Sequence, residues 1–227
     1  MKRSATVKPD NSIGRGILFG AIGGFVAGLV MAPFLMLTAI MTGMPANTIA
    51  VAMGLAFGAS QDNAMMMGFG MHMLTSTVIG VIFGAVTAKV DRLRITGFGK
   101  GIIEGLIAGM IAFVVLFIPV SMLVMPPVLT QMMIQANPSL TQQQTMSMLQ
   151  QGIPLMIGIG VVEHLVYGAI LGAVASALAL KVRRAKETRD TIPAASHDYE
   201  CSTCHRKFRS VEEREDHIKT THHGVAA

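Results

Sequence analysis

Four long apolar stretches divide the chain, and we place them at 17–42, 64–89, 99–124 and 152–180. Each is long enough to cross the hydrocarbon core of a bilayer, which takes about 20 residues of α-helix. The pattern predicts an all-α polytopic membrane protein with a four-helix transmembrane domain over 17–181 and the lipid bilayer as its solvent.

Composition supports this reading, since hydrophobic residues make up 52% of the chain and charged residues only 14%, with a mean hydropathy of +0.55. Soluble domains carry nearer a quarter of charged residues. The first span is too long for the apolar region of a signal peptide, and no small-residue cleavage site follows it. We therefore expect a signal anchor after an N-terminal tail, 1–16.

Two shorter segments lie between the spans. Thr48 to Ala59 is apolar but too short to cross, and Pro45 and Asn47 precede it as a plausible helix start. We expect it to lie at the interface or to re-enter. Ser139 to Gln151 is polar and rich in Gln, which predicts a short surface helix capped by Ser139 or Thr141.

Basic residues are distributed unevenly among the segments that connect the spans. The 18 Lys and Arg residues lie before the first span, between or at the ends of the second and third, or after the fourth, whereas 43–63 and 125–151 hold none. The positive-inside rule then places both termini in the cytoplasm. The basic and polar linker 182–198 also suits anionic lipid at that surface.

The two halves of the membrane region resemble each other. Gly14 to Gly24 aligns with Gly99 to Gly109, and the second span aligns with the fourth, which predicts two repeated helical hairpins in parallel orientation. Small residues recur every four positions in all four spans, as close helix packing in lipid requires. A glycine-lined pore needs the same residues, and rows left unburied would favour a homo-oligomer.

Three ionisable residues fall inside the spans: His72, Glu163 and His164. A charge at mid-membrane costs about 2.5 to 3.5 kcal/mol on the gentler insertion scale, so each needs a reason. One possible reason is a path for protons or cations. The alternative is that the three residues are neutral and form hydrogen bonds that join helices. Glu104, four residues after Lys100, is expected to pair with it. Methionines crowd His72, so a copper site is a further but weaker alternative to apolar filling.

The C-terminal tail carries a specific motif. Cys201-x2-Cys204-x12-His217-x4-His222, with Tyr199 and Phe208 as flanking aromatic residues, resembles the C2H2-type zinc-finger family over 199–224. The resemblance implies a small ββα zinc finger in which these four residues bind Zn²⁺, whose binding supplies the folding energy. His223 is an alternative fourth ligand, and His205 is expected to be solvated.

Two departures from the family limit what the resemblance implies. A Leu usually stands three residues before the first His, but here that position is Arg214, which weakens the small core unless Val211 substitutes. The base-reading helix positions of DNA-binding members fall on Ser210, Glu212, Glu213 and Asp216. Acidic side chains repel phosphate, so nucleic acid is disfavoured as a partner.

We therefore expect a membrane-anchored zinc-finger protein that acts as an adaptor or regulator for a cytosolic protein partner. The alternative is a small transporter or channel for protons, cations or metal ions that uses His72, Glu163 and His164. An enzyme is not expected, because no cluster of nucleophile, base and oxyanion donor is found in the sequence.

The predicted sidedness can be tested by labelling cysteines introduced at Ser139 and Ala195 from outside intact cells. Because Ser139 belongs to a loop without basic residues, we expect Ser139→Cys to react and Ala195→Cys to be protected. Reaction at Ala195, or protection of a solvated residue 139, would contradict this orientation.

Overall fold

The structure is a computed structural model that describes residues 12–191, 199–208 and 210–222. It divides into two compact units, Met1–Leu180 and Lys181–Ala227. Several sequence-based expectations fall outside the described residues: those for most of the N-terminal tail 1–16, for the last part of the linker 182–198, and for His223.

Four long helical segments make up the first unit. They are α1 (Ser12–Met41), α3 (Gln61–Lys89), a third segment that begins at Phe98 and ends at Ala136, and α6 (Gln142–Thr191). Each is long and apolar enough to cross a membrane, which confirms the predicted number of spans. Large apolar side chains such as Leu123, 74% exposed, cover the outer surface, as lipid-facing positions require.

The third helical segment extends beyond the predicted end at 124. It consists of α4 (Phe98–Ala112), two π-helical turns (Phe113–Phe117 and Val120–Val124) and α5 (Met125–Ala136). Proline has no backbone N–H and clashes with the carbonyl four residues earlier. Pro119 and Pro126 each stand next to a π-helical turn, where the wider hydrogen-bond ring accommodates the missing donor. The chain therefore stays helical where the sequence predicted a loop.

The polar segment Ser139 to Gln151 is not a separate surface helix, and this prediction was wrong. Its residues from Gln142 onward form the first turns of α6, which continues through Pro154 into the fourth span. Thr141 is the cap: its hydroxyl accepts the Gln144 N–H at 3.2 Å, and Gln144 Oε1 accepts the Thr141 N–H at 2.9 Å. This reciprocal pair starts the helix early. At its other end α6 continues to Thr191, so the start of the linker 182–198 is helical.

The short apolar segment forms helix α2 (Thr48–Ala56), directly after Asn47. Nine residues span about 14 Å, which is too short to cross, as predicted. Helix α2 packs closely on α3, because the backbone of Gly54 lies against Ala64 and that of Gly68 lies against Ala50.

Helices α1 and α3 meet at their glycine rows. Gly20 lies against Gly80 and Gly84, and a Cβ added at Gly20 would lie 2.8 Å from the Gly84 Cα. Gly16 and Gly24 extend the same contact along the helices in both directions. The small residues of these two rows therefore serve helix packing.

The second helix pair repeats this contact at equivalent positions. Gly105 lies against Gly168 and Gly172, and a Cβ added at Gly105 would again lie 2.8 Å from the Gly172 Cα. Gly101 lies against Gly172 and Ser176, as Gly16 lies against Gly84 and Ala88 in the first pair. The sequence repeat thus coincides with a repeat of contacts. Because these rows pack against each other within one chain, they are not free to pack against a second copy. The homo-oligomer expected from the sequence stays a prediction.

A buried cluster joins the first helix pair to α6. Its members come from α1, α3 and α6: Ala27, Met31, Phe83, Tyr167, Leu171 and Ala175. Tyr167 is 6% exposed, and its hydroxyl donates to the Ser76 carbonyl at 2.7 Å. Burial of the ring and a satisfied hydroxyl therefore hold the two helix pairs together.

Lys100 organises the connection between the second and third spans. Its Nζ donates to the carbonyl oxygens of Arg92 at 2.9 Å and Arg94 at 2.7 Å, and lies 3.5 Å from Glu104 Oε1. The predicted pairing of Lys100 with Glu104 is confirmed. Glu104 is only 8% exposed, so this ion pair lies at the edge of the packed helices rather than in solvent.

The glycine contact predicts that Gly80→Ala destabilises the helix bundle. A Cβ at residue 80 would lie 2.8 Å from the Gly24 Cα, and such overpacking costs about 1 to 3 kcal/mol. Gly70→Ala is the matched control in α3, because nothing lies within 4 Å of its added Cβ. Thermal unfolding in detergent should show a lower Tm for Gly80→Ala only, and equal Tm values would contradict the packing.

Candidate metal centre

The C-terminal module, residues 199–222, begins with two short antiparallel strands. They are β1 (Tyr199–Glu200) and β2 (Lys207–Phe208), with Tyr199 opposite Phe208. The Cys201 N–H donates to the Arg206 carbonyl, and the His205 N–H donates to the Cys201 carbonyl. This tight turn holds both cysteines at one end of the hairpin.

Helix α7 (Val211–Thr221) follows the hairpin and carries the histidines. Its N-cap is Ser210, whose hydroxyl accepts the Glu213 N–H at 3.1 Å. Glu212 and Glu213 lie in the first turn, where the helix dipole favours negative charge. The cap fixes where the helix begins, and hence which of its residues face the cysteine turn.

Cys201, Cys204, His217 and His222 converge in the module. Their ligand atoms all lie within 4.8 Å of one another, and Cys204 Sγ lies 3.2 Å from His217 Nε2. Two sulfur and two nitrogen donors at this spacing match a four-coordinate tetrahedral site, the geometry that zinc prefers in structural centres. The structure thus brings together all four residues predicted from the motif, and they could hold a metal ion.

The surroundings of the histidines suit metal binding. Thr221 Oγ1 lies 3.2 Å from His217 Nδ1. When the Thr221 hydroxyl accepts a hydrogen bond from the Nδ1–H of His217, the Nε2 atom of the same ring keeps its lone pair for a metal. His222 Nε2 is buried and has no hydrogen-bond partner among the described residues. A buried nitrogen without a partner is costly, and a metal ion would satisfy it. Thr221 was not predicted from the sequence, although a hydroxyl one turn after a candidate ligand histidine is a recognisable signal.

Two ligands are tuned towards their metal-binding forms. Backbone N–H groups of Thr203 and Cys204 lower the pKa of the Cys201 thiol, because they stabilise the thiolate. Burial lowers the pKa of His217, and the nearby charges of His222 and Arg206 act in the same direction. Thiolate and neutral imidazole are the forms that coordinate zinc.

The small core of the module differs from the family pattern at Arg214. Val211 is 39% exposed, so it does not fill the missing leucine position. Arg214 is half-buried, with an Nε that is shielded from solvent and has no hydrogen-bond partner among the described residues. Phe208 instead packs on the ring of His217, with 4.7 Å between centroids. The module therefore obtains little stability from apolar packing.

His205 stands beside the site without joining it. Its side chain is 80% exposed, as expected for a solvated residue, and its Nδ1 lies 2.7 Å from Glu200 Oε1. Its φ of 58° is in the left-handed region, which the turn after Cys204 requires.

The three ionisable residues inside the spans have separate partners. His72 Nε2 donates to the Gly28 carbonyl at 2.9 Å, which joins α3 to α1. His164 Nδ1 donates to the Gly160 carbonyl at 2.7 Å, and the imidazole packs edge-on against Phe113 and Phe117. Among residues 12–191, no hydrogen bond links His72, Glu163 and His164 to one another.

Glu163 is 5% exposed and joins α6 to α1 through Thr38. Thr38 Oγ1 lies 2.5 Å from Glu163 Oε1 and 3.0 Å from the Phe34 carbonyl. A hydroxyl has one proton, so both contacts are hydrogen bonds only when a neutral Glu163 acid donates to Thr38 and Thr38 donates to Phe34. The arrangement fits a neutral acid that joins two helices, and its partner Thr38 was not predicted from the sequence.

Comparison with known proteins adds no relative, because no protein-family model, no curated protein and no solved structure matches the chain.

The metal centre predicts one zinc ion per full-length chain, measured by mass spectrometry of the purified protein. Cys201→Ser and His222→Ala should each lose the metal, since a structural zinc site needs four protein ligands. His205→Ala is the matched control and should keep it. Equal zinc content in Cys201→Ser and the unmodified chain would contradict the assignment.

Proposed function

We propose that the chain is a membrane-anchored C2H2-type zinc-finger protein, an adaptor or regulator whose finger binds a cytosolic protein partner. The convergence of the four ligand atoms within 4.8 Å carries the proposal. Zinc would fold a module that has too small a core to fold alone, and a folded module presents a defined surface to a partner.

The charge on α7 supports a protein partner over nucleic acid. Glu212, Glu213 and Asp216, which occupy base-reading positions in the resembled family, are exposed on the helix. The hydroxyl of Ser210 is engaged as the N-cap, at a position that reads bases in DNA-binding members. Acidic side chains on this face would repel phosphates, whose neutralisation supplies most non-specific affinity for DNA.

Basic residues near the end of α6 support a cytoplasmic finger. Arg183, Arg184 and Lys186 are exposed on the last turns of the helix, directly after the fourth span. Positive charge in this position is retained on the cytoplasmic side and attracts anionic lipid. The finger would then face the cytoplasm, where it can recruit a soluble protein.

The alternative of transport through His72, Glu163 and His164 gains no supporting observation. Each of the three is hydrogen-bonded to a neighbouring backbone or hydroxyl group. Such bonds account for polar groups in the membrane without a conduction path, because they satisfy the groups in their neutral forms.

The proposal predicts a partner that depends on zinc. We expect affinity capture of the full-length protein from cross-linked native membranes to recover a soluble protein. Recovery should fall at least about tenfold in Cys204→Ser, since loss of zinc unfolds the whole binding surface. His205→Ala, outside the ligand set, should recover the partner normally.

A chelator added before cross-linking should reproduce the Cys204→Ser result in the unmodified protein. Recovery of the same proteins at the same level from the Cys204→Ser variant would contradict the adaptor proposal. Recovery of nucleic acid that stays bound at high salt would instead favour a finger that binds DNA in a sequence-specific way.

A further inference from the structure

Helices α1, α2 and α3 line a small, partly open cavity of about 60 Å³ within the membrane unit. Four side chains that can bind soft metals line it: Met36 from α1, Met53 from α2, and Met65 and His72 from α3. The other lining residues are aliphatic, aromatic or glycine, and no carboxylate is among them. Residues that carry soft donor atoms and are far apart in sequence thus line one small space.

The hydrogen bond of His72 prepares its ring for a ligand role. A carbonyl oxygen only accepts, so the contact with Gly28 at 2.9 Å requires the proton on Nε2. In the neutral ring Nδ1 then carries a lone pair, and no hydrogen bond to Nδ1 is found within residues 12–191. Metal-binding histidines commonly donate their second N–H to a backbone carbonyl in this way.

Three of the 19 methionines in the chain line the cavity. Met65, Met66 and Met67 are consecutive, but of these three only Met65 lines the cavity, where it is 46% exposed against 74% for Met66. Methionine has three rotatable bonds, so the thioethers of Met36, Met53 and Met65 can adjust to a shared ion.

We propose that this cavity binds a soft monovalent metal ion, Cu(I), through the thioethers of Met36, Met53 and Met65 and through His72 Nδ1. Thioether sulfur and imidazole nitrogen suit Cu(I), whereas hard cations prefer oxygen donors that the cavity lacks. All four ligands are neutral, so a divalent ion would keep its full charge in a medium of low dielectric constant. The site is separate from the zinc centre and does not rest on the adaptor function.

The test uses full-length protein carrying Cys201→Ser and Cys204→Ser, because the thiolates of the tail would themselves bind Cu(I). Cu(I) is titrated anaerobically against a chromophoric chelator. We expect one Cu(I) per chain, with sulfur and nitrogen neighbours in its X-ray absorption spectrum. Met53→Leu removes a proposed ligand, so it should weaken binding by about tenfold or more, at least the loss caused by removing a group that only supports a ligand.

Met66→Leu is the matched control and should bind Cu(I) as the parent does. Leucine nearly conserves the volume of methionine, so folding is retained, and an unchanged Tm verifies this. Absence of Cu(I) binding in the parent, or equal weakening by Met66→Leu and Met53→Leu, would overturn the proposal. Unchanged Cu(I) binding in the triple variant Met36→Leu, Met53→Leu and Met65→Leu would also overturn the proposal.

Discussion

Backbone contact between glycines is the constraint on which the membrane unit depends. Lipid tails are as apolar as leucine, so no hydrophobic force brings helices together once they are in the bilayer. Close approach at Gly20 with Gly80 and Gly84, and at Gly105 with Gly168, supplies van der Waals contact instead. Because a Cβ at these positions would overlap a neighbouring backbone, the rows set both the distance and the register of the helices.

Polar contacts in the membrane unit follow from this close packing. Helices that lie near one another bring Tyr167 to the Ser76 carbonyl and Thr38 to Glu163. Each group is satisfied by a neighbouring helix, which is what a solvent without hydrogen-bonding capacity demands. His72 and Glu163 thus join α3 and α6 to α1, whereas His164 is hydrogen-bonded within its own helix.

The C-terminal module depends on a different source of stability from the membrane unit. It has too few apolar side chains for a core, and Arg214 occupies a position where the resembled family has leucine. The proximity of four ligand atoms replaces that core, since metal binding would provide the free energy that burial does not. Thr221 beside His217 and the buried His222 nitrogen show that the surroundings are arranged around the same point.

The sequence alone determined the number of spans, the short helix α2, the paired glycine rows and the four converging ligands. These follow from apolar length, from small residues at helical spacing and from a motif whose ligand spacing is nearly rigid. The ends of the third and fourth helical segments were not predicted: the third continues past 124 to Ala136, and the fourth begins in the polar segment at Gln142 and ends at Thr191. Apolar length marks the part of a helix that can cross the hydrocarbon core, and it does not fix where the helix begins or ends.

Only the tertiary structure decided the partners of the buried polar residues. Helical spacing fixes which residues share a face, but it does not fix which face of another helix they meet. The pairing of Glu163 with Thr38, and the meeting of Met36, Met53 and Met65 at one cavity, join residues far apart in the chain. Such contacts depend on how the helices cross, and a single sequence does not encode that locally.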